Sequence, residues 1–189
     1  MAETSKAKAR RLKDGFFEKY VNDRKVIDIG VGRIDTFDGA DPLTEWCDTW
    51  DKDNGNAELM ESVPNATYDT VYNSHLLEHL DRPIIAIMNW MRILKPGGHL
   101  IICVPHRDLY ERKLTLPSKW NLDHKFFILP ETEEAPDTKS LKHLIEMGCK
   151  DYKWELVAMD IHDSCTNHDK PEEHNDGEFQ IQAIIKKLA

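Results

Sequence analysis

The sequence lacks a long hydrophobic run. No apolar stretch approaches the roughly 20 residues that a membrane-spanning helix needs, so we expect no span. The basic start, residues 1–15, is not followed by an apolar stretch, so it does not match a secretory signal peptide. These two absences predict a cytoplasmic protein.

The sequence has fewer basic than acidic residues. The 25 lysines and arginines are outnumbered by 34 aspartates and glutamates, which gives a net charge of −9. Because duplex nucleic acid requires a positively charged surface, we expect no such partner. The four cysteines form no CxxC pair, so neither a disulfide framework nor a structural zinc site is indicated. The 189 residues fit a single domain, 1–189.

Apolar runs and helically spaced segments alternate through the first half of the chain. This alternation favours parallel strands joined by right-handed crossovers. The last two apolar runs are joined directly by a polar loop, which predicts an antiparallel hairpin. The fold class is therefore α/β with a mixed, mostly parallel sheet. The expected helices are 9–20 (within an N-terminal helical region, 1–22), 83–94 and 141–147, and the expected strands are 25–30, 45–51, 68–73, 99–104, 154–160 and 179–186.

A ligand site is expected beyond the carboxyl ends of the parallel strands. Gly30 and Gly32 follow the first strand, where bare backbone can approach a ligand closely. Asp51 follows the second strand, 21 residues after Gly30. In nucleotide-binding folds, the carboxylate that accepts hydrogen bonds from the ribose hydroxyls lies about 20 residues after the glycine loop. Asp41 competes for that role, and a turn-capping carboxylate is the alternative for Asp51. The third glycine of the dinucleotide fingerprint is missing, which disfavours a nicotinamide or flavin oxidoreductase.

Four segments in order carry a family resemblance: VIDIGVG, WD, NAELMESVPNATYDTVYNSHLLEHL and RILKPGGHLIICVPH. Together they resemble the class I S-adenosylmethionine-dependent methyltransferases, in particular the small type-11-like branch, over about residues 25–106. The resemblance implies a Rossmann-like sheet and S-adenosylmethionine as cofactor. It further implies that Asp28, Gly30 and Gly32 lie near the methionine part, Asp51 at the ribose, Asn56 and Ala57 beside the adenine, and Asn73, Ser74 and His75 around the methyl group.

The middle of the chain is shorter than this resemblance requires. Only four residues separate Asp51 from Asn56. Members of the family usually place a helix and a strand between the corresponding positions, and no crossover fits in this gap. We therefore expect either a sheet that is trimmed at one edge or Asp41 as the ribose acid.

Two histidines, His75 and His106, follow strand ends on the side of the glycine loop. Imidazole has an ordinary pKa near 6.5, which suits removal of a proton from an acceptor at neutral pH. Either histidine is a candidate base, with Asp108 to orient the ring and Arg107 to hold an anionic acceptor group. Helix capping or core packing is the alternative for His75.

Residues 105–138 contain prolines and aromatic residues without a clear period. Loops of this length are usually functional, so we expect a lid on the acceptor side. Its aromatic and basic side chains suit a sugar, nucleotide or aromatic acceptor, although some of them equally anchor the lid to the core. The candidate acceptor-binding residues are Arg107, Tyr110, Trp120 and His124.

The histidines do not indicate a metal site. His75 and His79 have the i,i+4 spacing of metal ligands, but Glu78 is misplaced for an HExxH motif.

The leading hypothesis is a methyltransferase that uses S-adenosylmethionine and acts on a polar small-molecule or carrier-linked acceptor, with a glycan as one candidate. The alternative is a methyltransferase-like binding or regulatory protein without turnover. The sequence leaves the oligomeric state open.

Overall fold

The computed structural model describes residues 3–31 and 42–189, with side chains from residue 5 onward. Gly32 and Asp41, two of the predicted site residues, lie outside the described residues. The helices are α1 (Glu3–Lys13), α2 (Phe16–Tyr20), α3 (Pro83–Ile93), α4 (Arg107–Tyr110) and α5 (Leu141–Cys149). The strands are β1 (Val26–Ile29), β2 (Asp48–Trp50), β3 (Tyr68–Ser74), β4 (Leu94–Pro105), β5 (Phe127–Leu129), β6 (Thr138–Ser140), β7 (Trp154–Asp163) and β8 (Phe179–Lys187).

Six strands form the central sheet in the order β2-β1-β3-β4-β8-β7. The first four of these are parallel, whereas β8 runs antiparallel to both β4 and β7. The expected mixed α/β sheet with a C-terminal antiparallel hairpin is therefore confirmed. β2 is an edge strand, and none of the described residues forms a strand beyond it. Among the described residues the sheet therefore ends at β2, which agrees with the trimmed edge predicted from the short segment between Asp51 and Asn56.

Two apolar clusters sandwich the sheet. The larger cluster packs α3 and α5 against the strands, with the α3 residues Trp90 and Met91 fully buried. The smaller cluster packs Phe16 and Phe17 against the opposite face, on Tyr72 among others. This layering leaves the carboxyl ends of β1, β2 and β3 side by side at one edge of the molecule.

The N-terminal region differs from the expected single helix over residues 9–20. It forms α1 and α2, which are separated at Gly15, where φ is +75°. The helical spacing of Leu12, Phe16 and Tyr20 predicts one apolar face with Arg11 outside it, and this prediction is wrong. Leu12 is 61% exposed, whereas Arg11 is 1% exposed. The helix is rotated so that a cation, rather than a leucine, faces the sheet.

The segment expected to be an irregular lid contains short elements. α4 begins just after β4, and β5 pairs with β6 in a separate two-stranded parallel sheet. These elements are only three or four residues long, too short for a period to be visible in the sequence. The longest helices among the described residues, α1 and α3, have 11 residues, so none of the described helices can cross a bilayer.

Candidate functional site

The backbone at Gly30 forms a tight turn at the carboxyl end of β1. Its N–H donates a hydrogen bond to the carbonyl of Trp50 at 2.7 Å, and its φ is +85°. A Cβ atom at this position would lie 2.9 Å from Leu76 Cδ2. Only glycine combines this conformation with so close an approach.

A cavity of about 1010 Å³ opens beside this turn. Sites for small molecules have volumes of about 300–1,000 Å³, so this cavity is large enough for a cofactor together with part of an acceptor. Its lining includes five of the predicted site residues: Gly30, Asp51, Asn56, Ala57 and His124. It also includes nine residues that were not among the predicted site residues, namely Trp50, Lys52, Gly55, Leu76, His79, Leu80, Leu122, Asp123 and Lys125.

Asp51 is half-buried, directly follows β2 and lines the cavity beside Trp50, the residue whose carbonyl accepts from Gly30. Its N–H donates to Asn54 Oδ1 at 2.9 Å, and its carbonyl accepts from the Asn54 N–H at 2.8 Å. These bonds fix the turn after β2, in which Asp51 and Asn54 occupy the two positions of a capping box. Asp53, two residues further, is exposed.

The next segment is fixed by contacts with α3. The Ala57 carbonyl accepts a hydrogen bond from Trp90 Nε1 at 2.9 Å, and Asn56 Oδ1 accepts from the Glu58 N–H at 2.7 Å. Because Trp90 is fully buried, the cavity wall at Asn56 and Ala57 is tied to the core.

Asp28, Asn73 and Ser74 lie at or near the strand ends behind the glycine turn. Burial raises the pKa of the Asp28 carboxyl to about 7, against the hydrogen bond that its Oδ2 accepts from the Leu43 N–H at 2.8 Å. Asn73 pairs with Ile29, next to Gly30. Asn73 Oδ1 and Ser74 Oγ are buried and have no hydrogen-bond partner among the described residues. Asp28, Asn73 and Ser74 are not among the described residues that line the cavity, so their predicted places beside the cofactor stay predictions.

His75 follows β3 in a left-handed backbone conformation, with φ at +53°. Its N–H donates to the Cys103 carbonyl at 2.9 Å, and its Nδ1 lies 3.7 Å from Glu78 Oε1. Burial, followed by the nearby His124, lowers the pKa of the His75 imidazole to about 3. The ring is therefore neutral at pH 7 and holds an abstracted proton only weakly.

His106, Arg107 and Asp108 interact mainly within the lid. His106 Nδ1 accepts a hydrogen bond from the Asp108 N–H at 3.2 Å and so caps α4. The buried Arg107 binds Asp108 at 2.7 Å and Glu134 at 2.6 Å. None of these three residues is among the described residues that line the cavity. Their predicted roles as base, orienting acid and anion-binding cation stay predictions.

Tyr110 and Trp120 pack behind the cavity. The Tyr110 ring stacks on Phe179 with centroids 4.7 Å apart, and Trp120 Nε1 donates to the Tyr110 carbonyl at 3.0 Å. His174, in the loop between β7 and β8, packs edge-on against both rings. These aromatic residues fix the lid to the hairpin, and of the four acceptor-binding candidates only His124 lies among the described cavity residues.

Four titratable side chains meet where His124 reaches the cavity. His124 Nδ1 lies 2.7 Å from Glu111 Oε1, and His124 Nε2 and His79 Nε2 each lie 3.9 Å from Glu78 Oε1. Burial, followed by the charge of His124, lowers the pKa of His79 to about 4. The sequence shows only the local HLLEH segment, and His124 and Glu111 join it through the fold.

The first 135 residues match a family model described as a methyltransferase domain. A ubiquinone biosynthesis O-methyltransferase from Aliivibrio fischeri is 33% identical in a 73-residue alignment that covers 34% of this chain. The match covers 31% of that relative, so the chain spans about a third of its length.

Solved structures share the fold at low sequence identity. A SAM-dependent methyltransferase from Archaeoglobus fulgidus superposes with a TM-score of 0.53 at 19% identity, covering 97% of this chain and 94% of that one. The [4+2]-cyclase SpnF superposes with a TM-score of 0.56 at 14% identity, covering 96% of this chain and 82% of that one.

Proposed function

Because the chain belongs to the family of methyltransferase domains, we propose that it transfers a methyl group from S-adenosylmethionine to a polar acceptor. The acceptor is a small molecule or a carrier-linked group such as a glycan. The cavity bounded by the bare backbone of Gly30 and the carboxylate of Asp51 carries this proposal. The mixed aromatic and basic composition of the lid supports the choice of acceptor.

The residues around the cavity suit this cofactor. The Gly30 turn admits the methionine part, and the Asp51 carboxylate can accept hydrogen bonds from both ribose hydroxyls. Asn56 and Ala57 would border the adenine. Asn73 and Ser74 would lie near the methyl group, although neither is among the described cavity residues. When bound, S-adenosylmethionine supplies a methyl group on a positively charged sulfur.

Alignment is the main contribution that the chain makes to this reaction. The acceptor atom must approach the methyl carbon in line with the breaking C–S bond, whose electron pair stays on sulfur. The acceptor proton must leave as the new bond forms. His75 is not among the described cavity residues, and its lowered pKa makes it a weak acceptor for that proton, so its role as the base stays a prediction.

Calorimetric titration with S-adenosylmethionine tests the proposal, with Asp53→Asn as the matched control for Asp51→Asn. Both changes remove one carboxylate from the same turn, but Asp51 alone of the two is among the described cavity residues. Hydrogen bonds to a charged group contribute about 1.5–3 kcal/mol, so we expect Asp51→Asn to weaken micromolar binding about 10- to 100-fold. Equal affinity in the two variants, or no binding by the wild type, would contradict the proposal.

The second candidate is a methyltransferase-like binding or regulatory protein without turnover. The internal ion pairs of Arg107 favour it, because they leave this arginine no free face for an acceptor. Incubation with S-adenosylmethionine labelled on the methyl group separates the two. Cofactor binding without transfer of label to any acceptor in a broad extract would support this candidate.

A further inference from the structure

Three potential metal ligands converge on the wall of the cavity. The ligand atoms of Glu78, His79 and His124 all lie within 4.8 Å of one another. Glu78 is fully buried, the His124 side chain is 3% exposed, and both histidines line the cavity. The group therefore has a closed inner side and one side that opens to a ligand.

The distances are too long for direct hydrogen bonds. Each Nε2 atom lies 3.9 Å from Glu78 Oε1. Two ligands of one tetrahedral ion, each about 2.0–2.2 Å from it, lie about 3.4 Å apart. Shortening each of these two distances by about 0.5 Å would thus bring each imidazole nitrogen and Glu78 Oε1 to the spacing of two ligands of one ion.

Glu111 sets the orientation of the His124 ring. Its carboxylate lies 2.7 Å from His124 Nδ1, and the Ser118 hydroxyl and Lys119 N–H hold it in turn at 2.7 Å and 3.1 Å. With Nδ1 of the ring directed to Glu111, Nε2 is the nitrogen of His124 that faces Glu78, at 3.9 Å from its Oε1. A carboxylate that holds the far nitrogen of a histidine ligand is the usual outer shell of such a site.

We propose that Glu78, His79 and His124 bind one divalent transition-metal ion, with Glu111 as the residue that positions His124. Two imidazoles and one carboxylate suit Zn²⁺, Co²⁺ or Fe²⁺, whereas Mg²⁺ prefers oxygen ligands. The open side towards the cavity leaves a position for a further ligand. This site differs from the HExxH pattern because its second histidine comes from the lid, 45 residues after His79.

The role of the ion rests on the proposed function. A hydroxyl that coordinates a divalent cation loses its proton at a lower pH than a free hydroxyl does. The ion would therefore hold and activate a hydroxyl acceptor in the same cavity that takes the methyl donor.

Metal titration of the chelator-treated full chain tests the site. We expect one Co²⁺ per chain by calorimetry, with visible d–d bands of low-symmetry coordination, and displacement by Zn²⁺ but not by Mg²⁺. His79→Gln and His124→Gln should each weaken Co²⁺ binding at least 100-fold and remove the bands. Glu111→Gln should weaken binding 10- to 100-fold, as loss of an outer-shell partner does. His143→Gln is the matched control, because His143 is exposed on α5.

Circular dichroism of each variant shows whether it is folded. If a variant is unfolded, the number of Co²⁺ ions bound per wild-type chain still tests the site. Absence of Co²⁺ and Zn²⁺ binding in the wild type, preference for Mg²⁺, or equal binding by the His79, His124 and His143 variants would overturn the site. A purely structural role for His124, packed between Glu78 and Glu111, would then explain the cluster. Parallel titration with S-adenosylmethionine separates the hypotheses, since cofactor binding without metal binding contradicts only the metal site. Metal binding without cofactor binding contradicts only the proposed function.

Discussion

Gly30 and Leu76 are so close that a methyl group on Gly30 would lie 2.9–3.0 Å from three carbons of the Leu76 side chain. This contact joins the turn after β1 to the segment after β3, and both residues line the cavity. This part of the cavity wall is therefore set by the packing of these two segments. Gly97 offers a comparison, since its φ is +81° but nothing lies within 4 Å of its Cβ position.

We expect Gly30→Ala to destabilise the protein more than Gly97→Ala. Both changes place a side chain in a left-handed conformation, at a cost of about 1–2 kcal/mol. Gly30→Ala adds overpacking against Leu76, typically a further 1–3 kcal/mol, and it also narrows the cavity. Urea unfolding gives the two stabilities, and titration with S-adenosylmethionine should show weaker binding for Gly30→Ala alone. Equal stabilities and equal affinities of the two variants would show that the Leu76 side chain moves aside at no cost in stability or in cofactor binding.

Most of the central sheet could be predicted from the sequence because each strand is marked locally. The run that forms β1 lies between charged residues and a glycine, and α3 starts at a proline and keeps its apolar spacing. The cavity residues Gly30 and Asp51 could likewise be found, since each follows a strand directly. Their positions depend on chain order rather than on distant contacts.

The rotation of α1 and the cluster around Glu78 could not be predicted in the same way. Helical spacing gives the period of a stripe, but a charged residue such as Arg11 is assigned to solvent by default. His124 and Glu111 come from a segment without a visible period. Only the folded lid places them beside Glu78, so spacing along the chain carries no signal of the full group.

Arg11 should contribute strongly to stability. Its guanidinium donates to the Tyr72 hydroxyl at 2.8 Å and to Gln182 Oε1 at 3.2 Å, and it lies over the rings of Phe16 and Tyr72. Arg11→Met keeps the apolar stem of the side chain but removes all the N–H donors of the guanidinium from this buried site. We expect a loss of about 2–4 kcal/mol in the free energy of unfolding, because buried acceptors lose their partners.

Lys13→Met is the control for this change, because Lys13 is exposed in the last turn of α1. Surface substitutions usually change stability by less than about 0.5 kcal/mol. Arg11→Lys should recover only part of the loss, since an ammonium group cannot reproduce the planar set of donors. Chemical unfolding of the three variants gives the values, and a stability of Arg11→Met equal to that of Lys13→Met would refute the structural role.

Asp28 should make stability depend on pH. The ordinary pKa of an aspartate is 3.8, and burial raises that of Asp28 to about 7 in the folded state. Between these two values the folded protein binds more protons at this position than the unfolded chain does. The contribution of Asp28 to stability is therefore greatest at low pH and is lost as the pH rises from about 4 to 7.

Asp28→Asn removes this dependence while its amide oxygen can still accept the Leu43 N–H. We expect the stability of the variant relative to the wild type to increase between pH 4.5 and pH 8, by at most about 4 kcal/mol for a shift of this size. Urea unfolding of both proteins across this range measures the difference, in which the contributions of all other groups cancel. A difference that stays constant with pH would show that Asp28 ionises in the folded protein as it does in the unfolded chain.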